Sequence, residues 1–274
     1  MTDSRSRRFV AATARAIPMA ACLHVTGAIA QTQSAEVTPL RMVVNLKFEP
    51  AKASDQLKGG TGRMTIELTG SRCTEYKMIR STVADLQFVA GAIKLVSEAT
   101  TTENSDGTQL AFSITDRVNG EIKRQDTVIA RKTPQGMVAA SQKLPGGRLQ
   151  LPANVLLPLH HERLMTAAAH DRKPLVATVY NPEDTISSVE RITYRTGDEV
   201  KTPLPKGHPA AVMADAPRYR AEILRHDKTG KLRVRENLTQ YLNGVFTVSN
   251  TVFENMRIKA DLASLKLLPQ KPCS

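Results

Sequence analysis

Tryptophan is absent from this 274-residue chain, and phenylalanine and tyrosine together bring the aromatic share to only 4%. Proteins that hold single-stranded nucleic acid stack bases on aromatic rings, so the scarcity argues against that partner. The 38 lysines and arginines give a net charge of +12, but they are scattered singly instead of forming a basic stripe. Nucleic acid is therefore excluded as the expected partner. A basic balance leaves contact with an anionic membrane surface open. No segment approaches the roughly 20 apolar residues that a membrane-spanning helix needs. Fixed-period repeats and low-complexity tracts are missing as well.

Signatures of chemistry are equally scarce. Gly59-Gly60-Thr61-Gly62 lacks the third glycine and the strand-to-helix setting of a dinucleotide loop. Gly230-Lys231 has neither the earlier glycine nor the following Ser or Thr of a P-loop, and no Gly-x-Ser-x-Gly elbow occurs. His160, His161 and His170 around Glu162 invite a metal reading. A zinc-protease helix, however, needs histidines four apart, and at that spacing His161 meets Met165. His161 also falls on an apolar stripe, which favours a packed histidine. Glu183 and Asp184 sit in a turn, where solvated turn chemistry accounts for them. The expectation is a non-enzyme without cofactor or metal. The alternative is an envelope-directed hydrolase with its site near the His160/His161/His170 helix.

What the chain does contain begins with its N-terminus. Arg5, Arg7 and Arg8 precede an alanine-rich stretch from Val10 to Ala21, and Ala28-Ile29-Ala30 offers a small-x-small cleavage site. Arg15, Pro18 and His24 interrupt the apolar region, so the alternative is a cytosolic N-terminus. The pattern predicts a signal peptide over residues 1–30 and a single mature domain over 31–274 in the periplasm. The four arginines and one aspartate of residues 1–30 account for +3 of the net charge.

The mature chain reads as strand after strand. Met42, Val44, Leu46 and Phe48 alternate with Arg41, Asn45, Lys47 and Glu49, the period of a sheet with one buried face. Lys58 to Gly62 reads as a turn, and Met64, Ile66 and Leu68 resume the alternation. Cys73 is placed at the start of the next strand, and Gly91 as a bend or bulge within the apolar run from Leu86 to Val96. Asn119-Gly120 predicts a two-residue hairpin, with Phe112 opposite Thr127 and Leu110 opposite Ile129. Asn243-Gly244 predicts another, with Tyr241 opposite Phe246 and Thr239 opposite Val248. Between them, Leu156 to Ala169 reads as the one helix, opened by Pro158, with Leu157, Leu164, Met165 and Ala168 on one stripe. Leu175–Tyr180 and Ile186–Thr196 read as strands, residues 197–217 as a proline-rich connection, and Lys231–Leu242 as a further strand. The sum is mainly β: a large antiparallel sheet of about 12–14 strands in an open, barrel-like coil around one main helix.

Three cysteines occur, at 22, 73 and 273. A thiol one residue from a fraying terminus is exposed to oxidation, and Cys22 falls within the expected leader. Export therefore points to a Cys73–Cys273 bridge, whereas a cytosolic chain would carry both as thiols. Closing a loop of about 200 residues is valued by chain entropy at roughly 5 kcal/mol.

Gly70-Ser71-Arg72-Cys73-Thr74-Glu75-Tyr76, the stretch Leu156 to His170 followed by Leu175 to Asp184, and the tail Leu262 to Cys273 together resemble the EipB-like cell-envelope integrity proteins, an alphaproteobacterial periplasmic family. The resemblance spans most of residues 38–273. It implies a β-spiral wound around a helix, similar in shape to periplasmic lipoprotein carriers, with the disulfide at Cys73 and Cys273. It further implies a role in maintaining the envelope barrier and linkage to a periplasmic tetratricopeptide-repeat protein. It brings no catalytic residues. The coiled sheet is expected to offer its concave face to a lipid, an acyl chain or an envelope partner protein.

Overall fold

A computed structural model of the chain describes residues 37–52 and 56–270. Fourteen strands form over them. They are β1 (Leu40–Pro50), β2 (Leu57–Gly70), β3 (Glu75–Phe88), β4 (Gly91–Asn104), β5 (Gln109–Val118), β6 (Glu121–Thr133), β7 (Gly136–Ala140) and β8 (Arg148–Gln150). The helix α1 (Pro158–Asp171) intervenes before β9 (Leu175–Tyr180), β10 (Val189–Glu199), β11 (Arg218–His226), β12 (Leu232–Tyr241), β13 (Phe246–Val252) and β14 (Met256–Leu267). All belong to one antiparallel sheet, ordered β8-β7-β6-β5-β4-β3-β2-β1-β14-β13-β12-β11-β10-β9. The first and last strands lie side by side at its centre. The middle of the chain supplies both edges, β8 and β9, which do not pair with each other.

Alternation sets the faces. On β1, Leu40, Met42, Val44, Leu46 and Phe48 are buried, while Arg41, Asn45 and Lys47 are exposed. Pairing carries that inner row across the sheet, since Val44 faces Met64 on one side and Leu262 on the other. The residues read as a turn at Lys58–Gly62 are instead part of β2. A Cβ on Gly60 would lie 2.6 Å from the Asp85 carbonyl oxygen, and one on Gly62 would lie 2.7 Å from that of Val83. Glycine here lets β3 crowd against β2, which is a strand role and not a turn role. Gly91 is likewise not a bulge: Phe88 pairs with Gly91, so it opens β4 after a two-residue hairpin loop.

The two Asn-Gly pairs make different turns. Asn119 and Gly120 both take positive φ, 52° and 86°, as a type I′ turn requires. A register shift between Asp116 and Arg117 then moves every pair beyond it by one residue. Phe112 therefore faces Val128, and Leu110 faces Ala130, not Thr127 and Ile129. The bulge turns Arg124 onto the concave face opposite Asp116, and Ile129 onto the outer one. At the second pair only Gly244 has positive φ. Tyr241 N–H donates to the Val245 carbonyl at 2.8 Å, giving a three-residue loop that places Gln240, not Tyr241, opposite Phe246. A bulge one step further restores Thr239 opposite Val248.

Helix α1 starts at Pro158 and ends where Arg172, at φ 54°, directs its N–H to the Ala168 and Ala169 carbonyls. Leu164 is only half-buried, whereas Leu159, His161, Arg163 and Met165 to Ala169 are buried. Met165, Ala168 and Ala169 pack on Ala177, Val179, Ile192, Tyr194, Ala221, Ile223 and Leu238 of β9–β12. On the other face of β9, Tyr180 packs with Leu110, Phe112 and Val128 of β5 and β6. Val179 and Tyr180 are adjacent, so their side chains leave opposite faces of one strand. A strand covered by the helix on one face and by its own sheet on the other means that the sheet winds over itself. The result is an open spiral instead of a closed barrel. Between β10 and β11, the 3-10 turn Pro209–Met213 seats Ala210, with no exposed surface, on the core cluster of β1 and β14.

Candidate functional site

Helix α1 enters the coil on a carboxylate from another strand. Its N-cap, Leu157, has no side chain able to cap, and Pro158 follows. Glu103 of β4, only 1% exposed, accepts the Leu159 N–H at 2.9 Å and the His160 N–H at 2.6 Å. It answers two of the N–H groups that a helix start leaves open, and its charge suits the helix dipole. Burial nevertheless pushes Glu103 up to about 8, against the pull of those two donors and of Arg163. Arg163 lies 4.9 Å from the centre of the Tyr76 ring and donates to the Ser105 carbonyl.

One turn further, the helix presents its charges to the interior. Glu162 has substantial exposed area, yet protein surrounds it closely enough that burial raises its pKa to about 7. Arg225 works against that rise and Glu236 adds to it, and burial also raises the Tyr194 phenol, with a smaller contribution from Glu162. Arg225 lies 3.9 Å from Glu190, which is 6% exposed and accepts a hydrogen bond from Asn181 at 3.1 Å. Ser249 donates to Glu236 at 2.7 Å. His161 is buried, and desolvation lowers its pKa to about 3, helped by Arg225 and His160.

A second polar group ties the spiral together. In the β9–β10 turn, Glu183 is ion-paired with Arg80 of β3, whose Nη1 donates at 2.7 Å. Arg124 of β6 donates to the Glu183 and Pro182 carbonyls at 2.6 and 3.0 Å, while Asp126 holds its Nε at 2.5 Å. Glu183 thus belongs to a half-buried clamp and not to a solvated turn, which corrects the expectation from sequence. Asp184 does accept locally, from Ser188 at 3.3 Å.

The concave surface also carries an apolar patch, interrupted by Thr82 and Ser97 in the same phase. Met64, Ile66, Ile93, Leu95 and Ile258 pack against the β1 core cluster but stay only half-buried. Phe246 packs against both this cluster and the one beneath α1. A separate open groove of about 540 Å³, lined by Lys47, Phe48, Glu49, Lys58, Gly59, Gly60, Thr61, Asp85 and Gln87, lies away from the helix.

The residues singled out by sequence are not gathered at one point. His160 packs against Gly107, where a Cβ would meet its ring at 2.8 Å. The His170 side chain is 75% exposed beside Asp171 at 3.7 Å, ten residues or about 15 Å along the helix from His160. Among the described residues no group of three or more His, Cys, Asp or Glu could hold a metal ion. Cys73 lies in the turn before β3, its N–H 3.3 Å from the Ser71 hydroxyl, so it precedes the strand it was expected to start. It has an interaction partner. Cys273 falls outside the described residues, as does the expected leader at 1–30. Glu103 and Arg225 were not singled out, and Glu162 was named only as the carboxylate among the three histidines. Glu103 carried a usable signal, as a carboxylate in phase with the inner positions Ala99 and Thr101 of its strand.

A family profile described as EipB-like matches residues 31–269. No curated protein matches. Among solved structures, a beta-barrel-like protein of a domain of unknown function from Brucella abortus aligns with a TM-score of 0.78 at 19% identity, covering 85% of this chain and 99% of its own. At that identity the likeness concerns the fold alone. A protein from another family of unknown function, from Desulfovibrio piger, covers 86% of this chain and 88% of its own at 8% identity, but its TM-score of 0.28 carries no argument. No helix among the described residues is long and apolar enough to cross a membrane.

Proposed function

The chain belongs to the EipB-like family, and from that premise we propose that it is a non-enzymatic periplasmic protein that maintains the cell envelope by taking the acyl chain of an envelope lipid into its coiled sheet. The observation that carries this reading is the half-buried apolar row Met64, Ile66, Ile93 and Leu95 on the concave side. Residues in the same phase on β1 are buried, whereas nothing among the described residues fully covers these. An acyl chain laid on them would remove apolar surface from water at roughly 25 cal/mol per Å². Export through a leader over residues 1–30, the Cys73–Cys273 disulfide, linkage to a periplasmic tetratricopeptide-repeat protein and peripheral contact with an anionic membrane surface belong to the same proposal.

Two adjacent residues of β4 provide the test. Leu95 points inward and Val96 outward, as their partners Ala84 and Val83 show. Protein purified from the periplasm is extracted with organic solvent, and the bound lipid is quantified by mass spectrometry. Leu95→Asp is expected to lose that lipid while Val96→Asp keeps it, both folding normally by circular dichroism. Wild-type protein that carries no lipid and takes up no fluorescent fatty-acid probe would overturn the reading.

A further inference from the structure

One part of the outer face, on β3 to β8, carries cations and no acid. Register places Lys77, Thr102, Ala111, Ile129, Ala140 and Arg148 in one row across six strands, about 24 Å at the usual strand spacing. The row on one side of it is Ile79, Thr100, Ser113 and Thr127, and on the other side Arg131 pairs with Val138. No aspartate or glutamate occupies any of these positions. Glu67, Glu75 and Glu98 lie at the margins, and Glu67 and Glu98 are already ion-paired, with Arg41 at 4.0 Å and Arg117 at 2.8 Å. Lys77, Arg131 and Arg148 are exposed and form no ion pair among the described residues. Ile79 and Ile129 stand among them, 41% and 44% exposed.

Side-chain length narrows the partner. Most of the positions between the cations are alanine, serine or threonine, so the surface is smooth and the isoleucines, lysine and arginines project from it. Along β6, Arg131 follows Ile129 by two residues, about 7 Å of strand. Cations spaced around exposed apolar groups suit a layer of negative head groups above an acyl boundary. Single-stranded nucleic acid would find no ring here to stack on, and a smooth face gives no pocket to the anchor residues of an acidic protein. Resting on the membrane-contact part of the proposed function, we propose that this face is where the protein meets an anionic phospholipid bilayer. Lys77, Arg131 and Arg148 lie at the phosphates, and Ile79 and Ile129 enter the interfacial layer.

The test is co-sedimentation of protein purified from the periplasm with vesicles of phosphatidylcholine alone or mixed with phosphatidylglycerol. The mixed vesicles are expected to carry the protein down and phosphatidylcholine alone to leave it in solution. Each cation near such a surface is worth about fivefold in partitioning, so Arg131→Ser combined with Arg148→Ser should lose about 25-fold. The pair Arg131→Lys and Arg148→Lys keeps the charge and should keep binding. Ile129→Ser should weaken binding without altering its salt dependence. Arg195→Ser combined with Arg220→Ser removes the same charge from exposed positions on β10 and β11 and should change binding less than about twofold. All these positions are exposed, and the variants should fold normally by circular dichroism. No loss in the Arg131 and Arg148 variant, or equal loss in the β10–β11 control, overturns the face while membrane contact stands. Equal sedimentation with both vesicle types overturns the anionic partner, as does loss of an acidic envelope protein, and not of vesicles, from the Arg131 and Arg148 variant. A wild type that sediments with neither vesicle overturns both the face and the membrane contact; the acyl-chain reading is scored separately, by the lipid that solvent extraction recovers.

Discussion

On β9–β12 the inner row of Ala177, Ile192, Tyr194, Ala221 and Ile223 lies beneath α1, whereas on β2–β4 the row of Met64, Ile66, Ile93 and Leu95 is only partly covered. The helix side uses small residues on both partners, Ala168 and Ala169 against Ala177 and Ala221, which lets the helix axis come close to the sheet. The uncovered side uses long aliphatic side chains that reach into the space the helix does not fill. Residue size, and not alternation alone, therefore marks where the coil is filled by its own chain. The polar groups divide in the same way: Glu162, Arg225 and Glu236 belong to the helix side.

The contrast can be broken first on the filled side. Ala169→Asp would bury a carboxylate at a 1% exposed position beneath the sheet, and we expect loss of about 4 kcal/mol or more, read as loss of cooperative unfolding in urea. Glu103→Ala removes the acceptor of two buried helix N–H groups and should destabilise by about 2–3 kcal/mol, measured by thermal melting. Glu103→Gln sharpens the point through pH. Because burial raises Glu103 to about 8 from 4.5, its protonated form favours the native state, an advantage present below about pH 4.5 and lost as pH rises to about 8. Wild type should therefore lose stability across that window relative to Glu103→Gln, and parallel curves would refute the idea. Glu183→Ala frees Arg80 and is expected to cost about 1–3 kcal/mol, with faster hydrogen exchange at the β9–β10 turn. The smallest effect belongs to the open side. Leu95→Ala should cost less than about 1 kcal/mol, since its side chain is already half-exposed.

Much of this architecture could be read from residue order. The alternation on β1, the position of β9, the single helix and the strand number needed only local pattern. Where sequence misled, tertiary forces had overruled a local preference. Gly59 to Gly62 has turn composition, yet the glycines serve close strand approach. The Asn243-Gly244 loop is reset where Asn243 accepts from Val245 N–H and its amide reaches Met213. The bulge beyond Arg117 puts Arg124 within reach of a turn 58 residues away. The site was less legible because it depends on facing surfaces of a coil. Glu103 reaches Leu159 across 56 residues, and no spacing rule reports such a contact.

The adjacency of β1 and β14 at the sheet centre has a consequence for the order of events in folding. Phe48 pairs with Ile258, and Leu268 N–H closes on the Pro39 carbonyl at 2.9 Å. The hairpins from β2 to β7 can assemble as soon as they emerge, but β1 has no second neighbour until almost the whole chain is available. Such distant pairing makes for slow folding, with the chain-closure entropy met only at the end. Until then β1 is a free edge bearing Val44 and Leu46, so a chain cut short before β14 should not be a slightly smaller version of this protein. It should be an aggregation-prone one.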